Sequence, residues 1–258
     1  MLGPLQKFSM AGKHVLVTGA SSGFGAHFSR VLAGAGASSV VLAARRVDKL
    51  RELERDLRAA HPECRTVSVQ MDVSDEASIQ GAFALIEGSG TSAEGDCGKG
   101  LLLDGAAINV LVNNAGVGDP VPFLHMTASS FDYVVGTNLR GAVLVAQQAA
   151  LHMLRRGVTN GSIINIASIM AQRPGRRHVN YCASKAGLQH ASKCMAVELF
   201  RKGIRVNCIN PGYFVTELNR DYLTSEAGVE CVLYPEKTRA ALLLCYYHGA
   251  IRSTLDDL

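Results

Sequence analysis

Six short runs rich in valine, isoleucine and other apolar residues recur along the chain, separated by segments long enough to form helices. These runs span residues 14–17, 40–43, 66–71, 108–112, 162–167 and 205–209. Strands that alternate with helices indicate parallel β-α-β units, and nearly continuous apolar strands are typical where helices cover both faces of a sheet. The pattern therefore predicts an α/β fold with a doubly wound, mostly parallel sheet and helices on both faces.

The segments between the strands have helical periodicity, with one exception. Residues 48–60 place three leucines at helical spacing among charged residues, which predicts an amphipathic helix lying on the sheet. Residues 127–155 predict a longer amphipathic helix. Residues 88–105 are rich in glycine and serine, so they are predicted to form a surface insertion. Because no other internal linker is present, we predict a single domain over residues 1–258.

Composition and charge exclude several classes of protein. The 258 residues include 26 lysines and arginines against 22 aspartates and glutamates, and this formal charge of +4 is too small to indicate nucleic-acid binding. No run approaches the roughly 20 uncharged apolar residues that a membrane span needs. The seven cysteines form no C-x-x-C pair, and no signal-peptide stretch precedes the first strand. We expect a cytoplasmic protein with no metal site and no membrane span.

A glycine-rich turn follows the first predicted strand directly. It reads Thr-Gly-Ala-Ser-Ser-Gly-Phe-Gly over residues 18–25 and leads into a helical segment. Glycines let the backbone approach a pyrophosphate closely, and the helix that follows offers unpaired N–H groups and a positive dipole end. Tight turns also need glycine, but the strand, turn and helix context is that of a Rossmann-type dinucleotide site. The predicted cofactor contacts here are Gly19, Ser21, Ser22, Gly23, Phe24 and Gly25.

The end of the second strand indicates which dinucleotide is bound. An enzyme selective for NAD usually has an acid there, whereas this chain has Arg45 and Arg46. A guanidinium is a permanently charged planar fork that suits a 2′-phosphate, so we predict NADP(H), with Arg45 as the principal contact. NAD(H), with both arginines as solvated charges, is the alternative. Asp72, after the third strand, is predicted to accept a hydrogen bond from the adenine amine, or else to be an ordinary turn aspartate.

A second set of residues could carry acid–base chemistry. Tyr181 and Lys185 are one helical turn apart, so both can face one point, and a nearby ammonium lowers the pKa of a phenol. Ser168 ends the fifth strand, at the carboxyl edge where open α/β sheets bind ligands, and its hydroxyl can stabilise an oxyanion. Asn138 lies within the long predicted helix, where asparagine is unfavourable, which indicates a buried water or backbone partner.

These residues resemble, in order and spacing, the classical short-chain dehydrogenase/reductase family. The resemblance covers about residues 12–218. The matching positions are residues 18–25 (TGASSGFG), Asp72 and Val73, residues 113–116 (NNAG), Asn138, Ser168, Tyr181 with Lys185, Pro211 with Gly212, and Thr216. The NNAG run and the gap of thirteen residues from serine to tyrosine are specific to the family.

The resemblance implies an enzyme that transfers a hydride between a nicotinamide and a small carbonyl or alcohol substrate. It implies a catalytic tetrad in which Tyr181 transfers the proton, Ser168 holds the carbonyl oxygen, Lys185 binds the nicotinamide ribose and lowers the tyrosine pKa, and Asn138 keeps a relay water. Asn114, Ala115, Gly116 and Val73 would line the cofactor, and the nicotinamide would be fixed by Pro211, Gly212, Phe214, Val215 and Thr216. A homodimer or homotetramer is also implied.

The chain departs from the family pattern after the Pro-Gly turn. Members of the family continue to a final strand that ends near Val-Asp-Gly-Gly, and residues 219–258 contain no such ending. We therefore expect an atypical C-terminal segment with the final strand missing or altered. Two alternatives to an NADPH-linked reductase stay open: an NAD-linked alcohol dehydrogenase of the same fold, or, because of the altered C-terminus, a catalytically idle protein that only binds the cofactor.

Overall fold

A computed structural model describes residues 8–88 and 106–214, and every run predicted to be a strand forms one. The strands are β1 (His14–Thr18), β2 (Ser39–Ala44), β3 (Arg65–Gln70), β4 (Val110–Asn113), β5 (Gly161–Ile166) and β6 (Ile204–Ile209). Neighbouring strands pair in parallel in the order β3-β2-β1-β4-β5-β6. The order reverses between β1 and β4, and this switch point is where a doubly wound sheet opens its crevice. The predicted fold class is confirmed.

Helices cover both faces of this sheet. They are α1 (Gly23–Gly34), α2 (Val47–Ala60), α3 (Glu76–Glu87), α4 (Ala128–Val135), α5 (Ala142–Arg155) and α6 (Val179–Leu199). One apolar core lies between the sheet and α1 and α2, and it contains the three predicted leucines Leu50, Leu53 and Leu57. The other core lies between the sheet and α3 and α5, with side chains of α6 at its border. The strands therefore bury both faces, and ligands can reach only their ends.

The helical segment predicted over residues 127–155 is not uniform. A π-helical turn, Gly136–Gly141, separates α4 from α5 and holds Asn138 in a buried position. At Gly141 a Cβ would overlap the carbonyl oxygen of Val73, so the start of α5 packs directly on the backbone that follows β3. π-Turns within helices are rare and frequently mark functional sites. The wider turn brings an asparagine, which an α-helix disfavours, to a fixed place below the crevice.

Two predicted segments lie mostly or wholly outside the described residues. Of the expected insertion at residues 88–105, the structure describes Gly88, which ends α3 with a left-handed φ of 78°. The segment 219–258, where the final strand was expected to be missing or altered, lies outside the described residues. Within residues 8–88 and 106–214, no helix combines the length and the apolar character needed to cross a membrane.

A buried histidine ties three elements together on the α3/α5 face of the sheet. His152 on α5 is 1% exposed, its Nε2 accepts the backbone N–H of Ile108 at 3.1 Å, and its Nδ1 lies 2.9 Å from Glu87 Oε1 at the end of α3. Since Nε2 accepts, the proton of the neutral ring is on Nδ1 and is donated to Glu87. Burial lowers the pKa of His152, although the Glu87 carboxylate opposes this shift. The native state thus favours the neutral ring.

We predict that His152 makes folding sensitive to mild acid. Its pKa is lower in the folded than in the unfolded chain, so the unfolded chain binds more protons as the pH falls below about 6.5 and the free energy of unfolding decreases there. Urea unfolding of His152→Gln should depend less on pH between about 7.5 and 5 than that of the native protein. At the upper pH the variant should be less stable by about 1–3 kcal/mol, because the Ile108 N–H loses its acceptor.

His27→Gln is the matched control, since His27 is exposed and should leave the pH dependence unchanged. The pKa of His14 is also lowered by burial, but His14 is present in all three proteins and cancels in the comparison. Equal loss of stability in mild acid for the native protein and His152→Gln would contradict the prediction.

Candidate active site

A cleft of about 730 Å³ opens at the carboxyl ends of the strands. It collects most of the predicted site from distant parts of the chain. Its walls include Gly19, Ser21, Ser22, Gly23, Phe24, Arg45, Arg46, Asp72, Val73, Asn114, Ala115, Gly116, Ser168, Tyr181, Lys185, Pro211, Gly212 and Phe214. Gly25 and Asn138 lie behind the wall, and Val215 and Thr216 lie outside the described residues.

The glycine-rich turn leaves the first turn of α1 free for an anion. Gly19 and Gly23 have φ values of 65° and 53°, which favour glycine, and they bring the chain from β1 sharply into the helix. The N-cap residue Ser22 makes no side-chain capping bond, and the first turn of the helix has no acidic residue. Backbone N–H groups and the positive end of the helix dipole therefore face the cleft without a competing carboxylate. This donor set fits the pyrophosphate of a dinucleotide.

Gly25 shapes this turn from behind. A Cβ on Gly25 would overlap the carbonyl oxygen of Gly19 and would lie 2.7 Å from the Asn114 side-chain amide. That amide donates to the carbonyl oxygen of Thr18 at 3.0 Å. The third glycine of the motif thus allows α1 to pack against the loop after β4, and it holds the cofactor site through packing rather than by lining the cleft.

Positive charge lies at the end of β2, as the sequence predicted. Arg46 donates from Nη2 to the hydroxyls of Ser22 at 2.7 Å and Ser21 at 3.1 Å, so its guanidinium is held against the phosphate loop. Arg45 lines the cleft next to Asp72. Partial burial raises the pKa of the Asp72 carboxyl, but bonds from Ser74 and the Arg45 charge outweigh it and hold this pKa below its usual value.

On the opposite wall, the chain after β6 reaches the phosphate loop. Pro211, Gly212 and Phe214 line the cleft there, and the edge of the Phe214 ring packs on Phe24 with centroids 5.3 Å apart. Phe24 stacks in turn on Phe28 within α1. The segment predicted to fix the nicotinamide is thus in contact with the segment predicted to hold the pyrophosphate.

Beneath the cleft, four buried polar side chains connect β1 to α6. The hydroxyl of Thr18 donates to Asn113 at 3.3 Å, the Asn113 amide donates to Asn165 at 3.0 Å, and the Asn165 amide donates to Ser192 at 2.9 Å. The Thr18 oxygen also accepts the backbone N–H groups of Asn114 and Ala115 at 2.9 and 3.0 Å. Asn165 and Ser192 were not among the residues predicted from the sequence. An asparagine within the apolar run of residues 162–167 was the signal that could have revealed this network.

Tyr181 and Ser168 meet at the centre of the cleft. Ser168 follows β5, Tyr181 lies in the first turn of α6, and both side chains line the cleft. Burial raises the pKa of Tyr181 above its ordinary value, and the nearby Ser168 hydroxyl opposes this shift only in part. The tyrosine is therefore held as a neutral phenol, the form that can donate a proton.

Lys185 is buried one turn further along α6. Its Nζ donates to the carbonyl oxygen of Ile166 at 2.9 Å and lies 5.7 Å from the centroid of the Tyr181 ring. Burial lowers the pKa of Lys185 to about 8. Burial of the phenol dominates, so the net shift of the Tyr181 pKa is upward. The lowering of this pKa by the Lys185 ammonium stays a prediction.

Asn138 is fully engaged with protein atoms. Its Oδ1 accepts the N–H of Val117 at 2.8 Å, and its Nδ2 donates to the Val117 carbonyl at 2.9 Å and to Ser184 Oγ at 3.2 Å. Gly116 fits between Asn138 and Lys185, since a Cβ there would be 3.2 Å from Asn138 Oδ1 and 3.4 Å from Lys185 Nζ. The asparagine of the π-turn thus fixes the loop after β4 to α6. The relay water predicted at this residue stays a prediction.

A parallel doubly wound sheet, an anion site at the start of α1 and a serine, tyrosine and lysine at the same edge together define a dinucleotide-dependent oxidoreductase. The profile of the short chain dehydrogenase family matches residues 13–227, and the chain belongs to this family.

Individual relatives support this assignment. The chain is 35% identical to L-xylulose reductase of Caenorhabditis elegans over 214 residues, which are 83% of this chain and 76% of that protein. It is 32% identical to gluconate 5-dehydrogenase of Gluconobacter oxydans over 221 residues, 85% and 78% of the two chains. A crystal structure of gluconate 5-dehydrogenase from Burkholderia cenocepacia with NADP and tartrate superposes with a TM-score of 0.76, at 31% identity, covering 88% of this chain and 82% of that one.

The predicted family and reaction class are therefore confirmed. The chain is an oxidoreductase that acts on CH–OH and C=O groups of a small-molecule substrate, with a nicotinamide dinucleotide, NADP(H) or NAD(H), as the redox partner.

We predict that Lys185 lowers the stability of the cofactor-free protein. Burying its ammonium lowers its pKa from 10.5 to about 8, which corresponds to roughly 3 kcal/mol of destabilisation at neutral pH. Between these two pKa values the unfolded chain binds more protons, so the penalty shrinks as the pH rises. In urea unfolding, Lys185→Met should have a free energy of unfolding up to about 3 kcal/mol higher than the native protein at pH 7, reduced by the loss of the hydrogen bond to Ile166. At about pH 9.5 the increase should be less than half as large.

Lys193→Met is the matched control, because Lys193 is exposed on the same helix. It should change stability little at either pH. A gain for Lys185→Met that does not vary with pH would point to side-chain packing rather than charge burial and would refute this account.

Proposed function

We propose that this chain is an NADP(H)-linked reductase of carbonyl compounds, reversible with the corresponding alcohols, in which Tyr181 is the general acid and base. The observation that carries the proposal is that Ser168, Tyr181 and Lys185 line one cleft at the carboxyl edge of β5, with the Ser168 hydroxyl near enough to the phenol to affect its pKa.

In the reduction, the bound nicotinamide supplies the hydride to the carbonyl carbon. Tyr181 donates its proton to the carbonyl oxygen as negative charge develops there, and the Ser168 hydroxyl donates a hydrogen bond to the same oxygen. The raised pKa of Tyr181 favours the neutral phenol and so suits reduction. After the transfer, the Lys185 ammonium stabilises the phenolate that remains, and the phenolate takes a proton back from solvent. Asn138 acts as a positioning residue, through Val117 and Ser184.

The same proposal assigns the cofactor contacts. Gly19, Ser21, Ser22, Gly23 and Phe24 would hold the pyrophosphate, and Gly116 and the segment after β6 would hold the nicotinamide. Pro211, Gly212 and Phe214 support this placement by lining the cleft, and Val215 and Thr216 are assigned on family resemblance alone.

NADP(H) is favoured over NAD(H) by the charges at the end of β2. Arg45 and Arg46 both line the cleft there, and the residue that precedes them, Ala44, brings no carboxylate to repel a 2′-phosphate. The related gluconate 5-dehydrogenase was crystallised with NADP. NAD(H) is the second candidate, because 3-ketoacyl-(acyl-carrier-protein) reductase from Brucella melitensis, 30% identical to this chain, was crystallised with NADH.

We also propose a single-domain protein that assembles as a homodimer or homotetramer in the cytoplasm. Large apolar side chains that are exposed on α4, α5 and α6 support self-association. They are Phe131, Tyr133, Leu151, Leu154 and Val197. The described cysteines, Cys64, Cys182, Cys194 and Cys208, are all free thiols, which suits a reducing compartment.

Tyr181→Phe tests the proposed chemistry. Removing the hydroxyl deletes the proton donor, so we expect kcat with NADPH and a broad panel of ketones and aldehydes to fall by about 10²–10⁴-fold. The dissociation constant for NADPH, followed by nucleotide fluorescence, should stay within a factor of about three. Tyr133→Phe, on the exposed surface of α4, is the control and should keep full activity. Comparable turnover in Tyr181→Phe and the native protein would show that the phenol is not the acid.

Arg45→Glu tests the choice of cofactor. The carboxylate repels a 2′-phosphate and can accept bonds from ribose hydroxyls, so we expect kcat/KM for NADPH to fall by about tenfold or more and that for NADH to rise. Arg55→Glu makes the same change of charge at an exposed site on α2 and should have little effect. A native enzyme that strongly prefers NADH would contradict the assignment of Arg45.

A further inference from the structure

The half of the cleft beyond Tyr181 is bounded by two loops, one of which carries several positive charges. Residues 117–122 follow β4 and residues 172–178 precede α6, and Arg176, Arg177 and His178 of the second loop line the cleft. Among the described residues of the cleft wall, the only acid is Asp72, which follows β3 and lies beside Arg45 at the opposite end. The end of the cleft next to the reacting groups is therefore cationic.

The positions of the two arginines are set by bonds that lead to Tyr181. The carbonyl oxygen of Arg177 accepts the N–H of Val121 at 2.9 Å, which joins the two loops. The carbonyl oxygen of Arg176 lies 2.6 Å from His178 Nδ1, which donates to it. The His178 ring in turn packs edge-on against Tyr181, with centroids 6.3 Å apart. The loop of residues 172–178 is thus connected to Tyr181 through these contacts.

Arg177 has a backbone conformation that an arginine rarely adopts. Its φ of 65° is the only positive value at a described residue other than glycine. Left-handed backbone costs a side-chain-bearing residue roughly 1–2 kcal/mol, and such strain concentrates at ligand sites, where the surrounding structure enforces it. A glycine or asparagine would relieve it. The strained position is instead occupied by a long cationic side chain on the wall of the cleft.

No described carboxylate forms an ion pair with Arg176 or Arg177 on the cleft wall. The nearest acid in the facing loop, Asp119, accepts a hydrogen bond from Ser130, and its backbone carbonyl accepts one from the buried Asn180 at 3.0 Å. Arg177 makes one long bond, 3.5 Å, from Nη2 to the carbonyl oxygen of Pro120. Both guanidinium groups keep donors for a ligand.

We propose that Arg176 and Arg177 bind an anionic group of the substrate, so that the enzyme acts on oxo and hydroxy compounds with a carboxylate or phosphate away from the reacting carbon. This inference rests on the proposed function, because it places the reacting carbonyl at Tyr181. A guanidinium presents its N–H donors as a planar fork that matches the oxygens of a carboxylate or phosphate, and such charge-assisted bonds are about twice as strong as neutral ones.

Matched pairs of charged and neutral probes test the inference. The carboxylate arm uses oxo acids with one to four carbons between the two groups, each compared with its methyl ester. The phosphate arm compares dihydroxyacetone phosphate with dihydroxyacetone. With NADPH, the native enzyme should show a kcat/KM at least about tenfold higher for the charged member of a pair in one arm, and that arm identifies the anion. The preference should weaken as ionic strength rises, because salt screens exposed charges.

Charge-removing variants assign the preference to these two residues. Arg176→Gln and Arg177→Gln should each raise the KM for the preferred charged probe by about tenfold, with little change for its neutral partner, and Arg176→Lys should restore part of the loss. Arg173→Gln removes the same charge from an exposed position of the same loop that does not line the cleft, and it should behave as the native enzyme. Thermal melting verifies that each variant is folded.

Calorimetric titration of the NADPH complex with the same probes measures binding without turnover. Charged probes that bind more tightly than neutral ones, and more weakly to Arg176→Gln, support the inference even if no probe is reduced; in that case only the proposed function fails. A native protein that binds or reduces both members of every pair equally would overturn the inference and leave the reductase assignment intact. Equal losses for charged and neutral probes in the variants would also overturn it, because they would show that the arginines only shape the loop.

Discussion

One chain of buried hydrogen bonds holds the reactive edge of this protein together. Thr18, Asn113, Asn165 and Ser192 are all buried, and each donates to the next across three parallel strands and onto α6. In a low-dielectric interior such bonds strengthen one another, whereas a single missing partner leaves a costly unsatisfied group. The network begins at the turn that leads into the anion site and ends on the helix that carries Tyr181 and Lys185. The spacing between the anion site and Tyr181 therefore depends on core side chains that do not line the cleft.

Burial at this edge has opposite consequences for Tyr181 and Lys185, the two titratable side chains of α6 that line the cleft. Burial favours the protonated phenol of Tyr181. It also raises the free energy of the charged form of Lys185, whose pKa falls to about 8. The hydrogen bond from Lys185 to the Ile166 carbonyl offsets part of this free-energy cost. A fold selected for stability alone would place an apolar side chain at residue 185. Retaining a buried amine fits a site whose electrostatics are arranged for a reaction, where burial commonly shifts pKa values.

Much of this arrangement could be predicted from the sequence, because the signals are local. The six strands follow from apolar runs, and the anion site follows from glycines between a strand and a helix. The π-turn at Asn138 could not be predicted, since it depends on the packing of Gly141 against the chain after β3. The direction of the Tyr181 pKa shift could not be predicted from the sequence either. Spacing shows that a lysine is one turn away, but the extent of burial and the direction in which the ammonium donates depend on the tertiary structure.

The distribution of charge along the cleft fits the use of two anions side by side. Arg45 and Arg46 lie at one end, Arg176 and Arg177 at the other, and the Ser168–Tyr181 pair lies between them without net charge. On the proposed assignments, a dinucleotide and an acidic substrate would repel each other, and at physiological ionic strength this repulsion persists over a Debye length of about 8 Å. Separate guanidinium pairs at the two ends let each anion bind at its own end, with the two ligands meeting only at the carbon that exchanges the hydride. A neutral substrate would need no pair of arginines such as Arg176 and Arg177 on the far side of Tyr181.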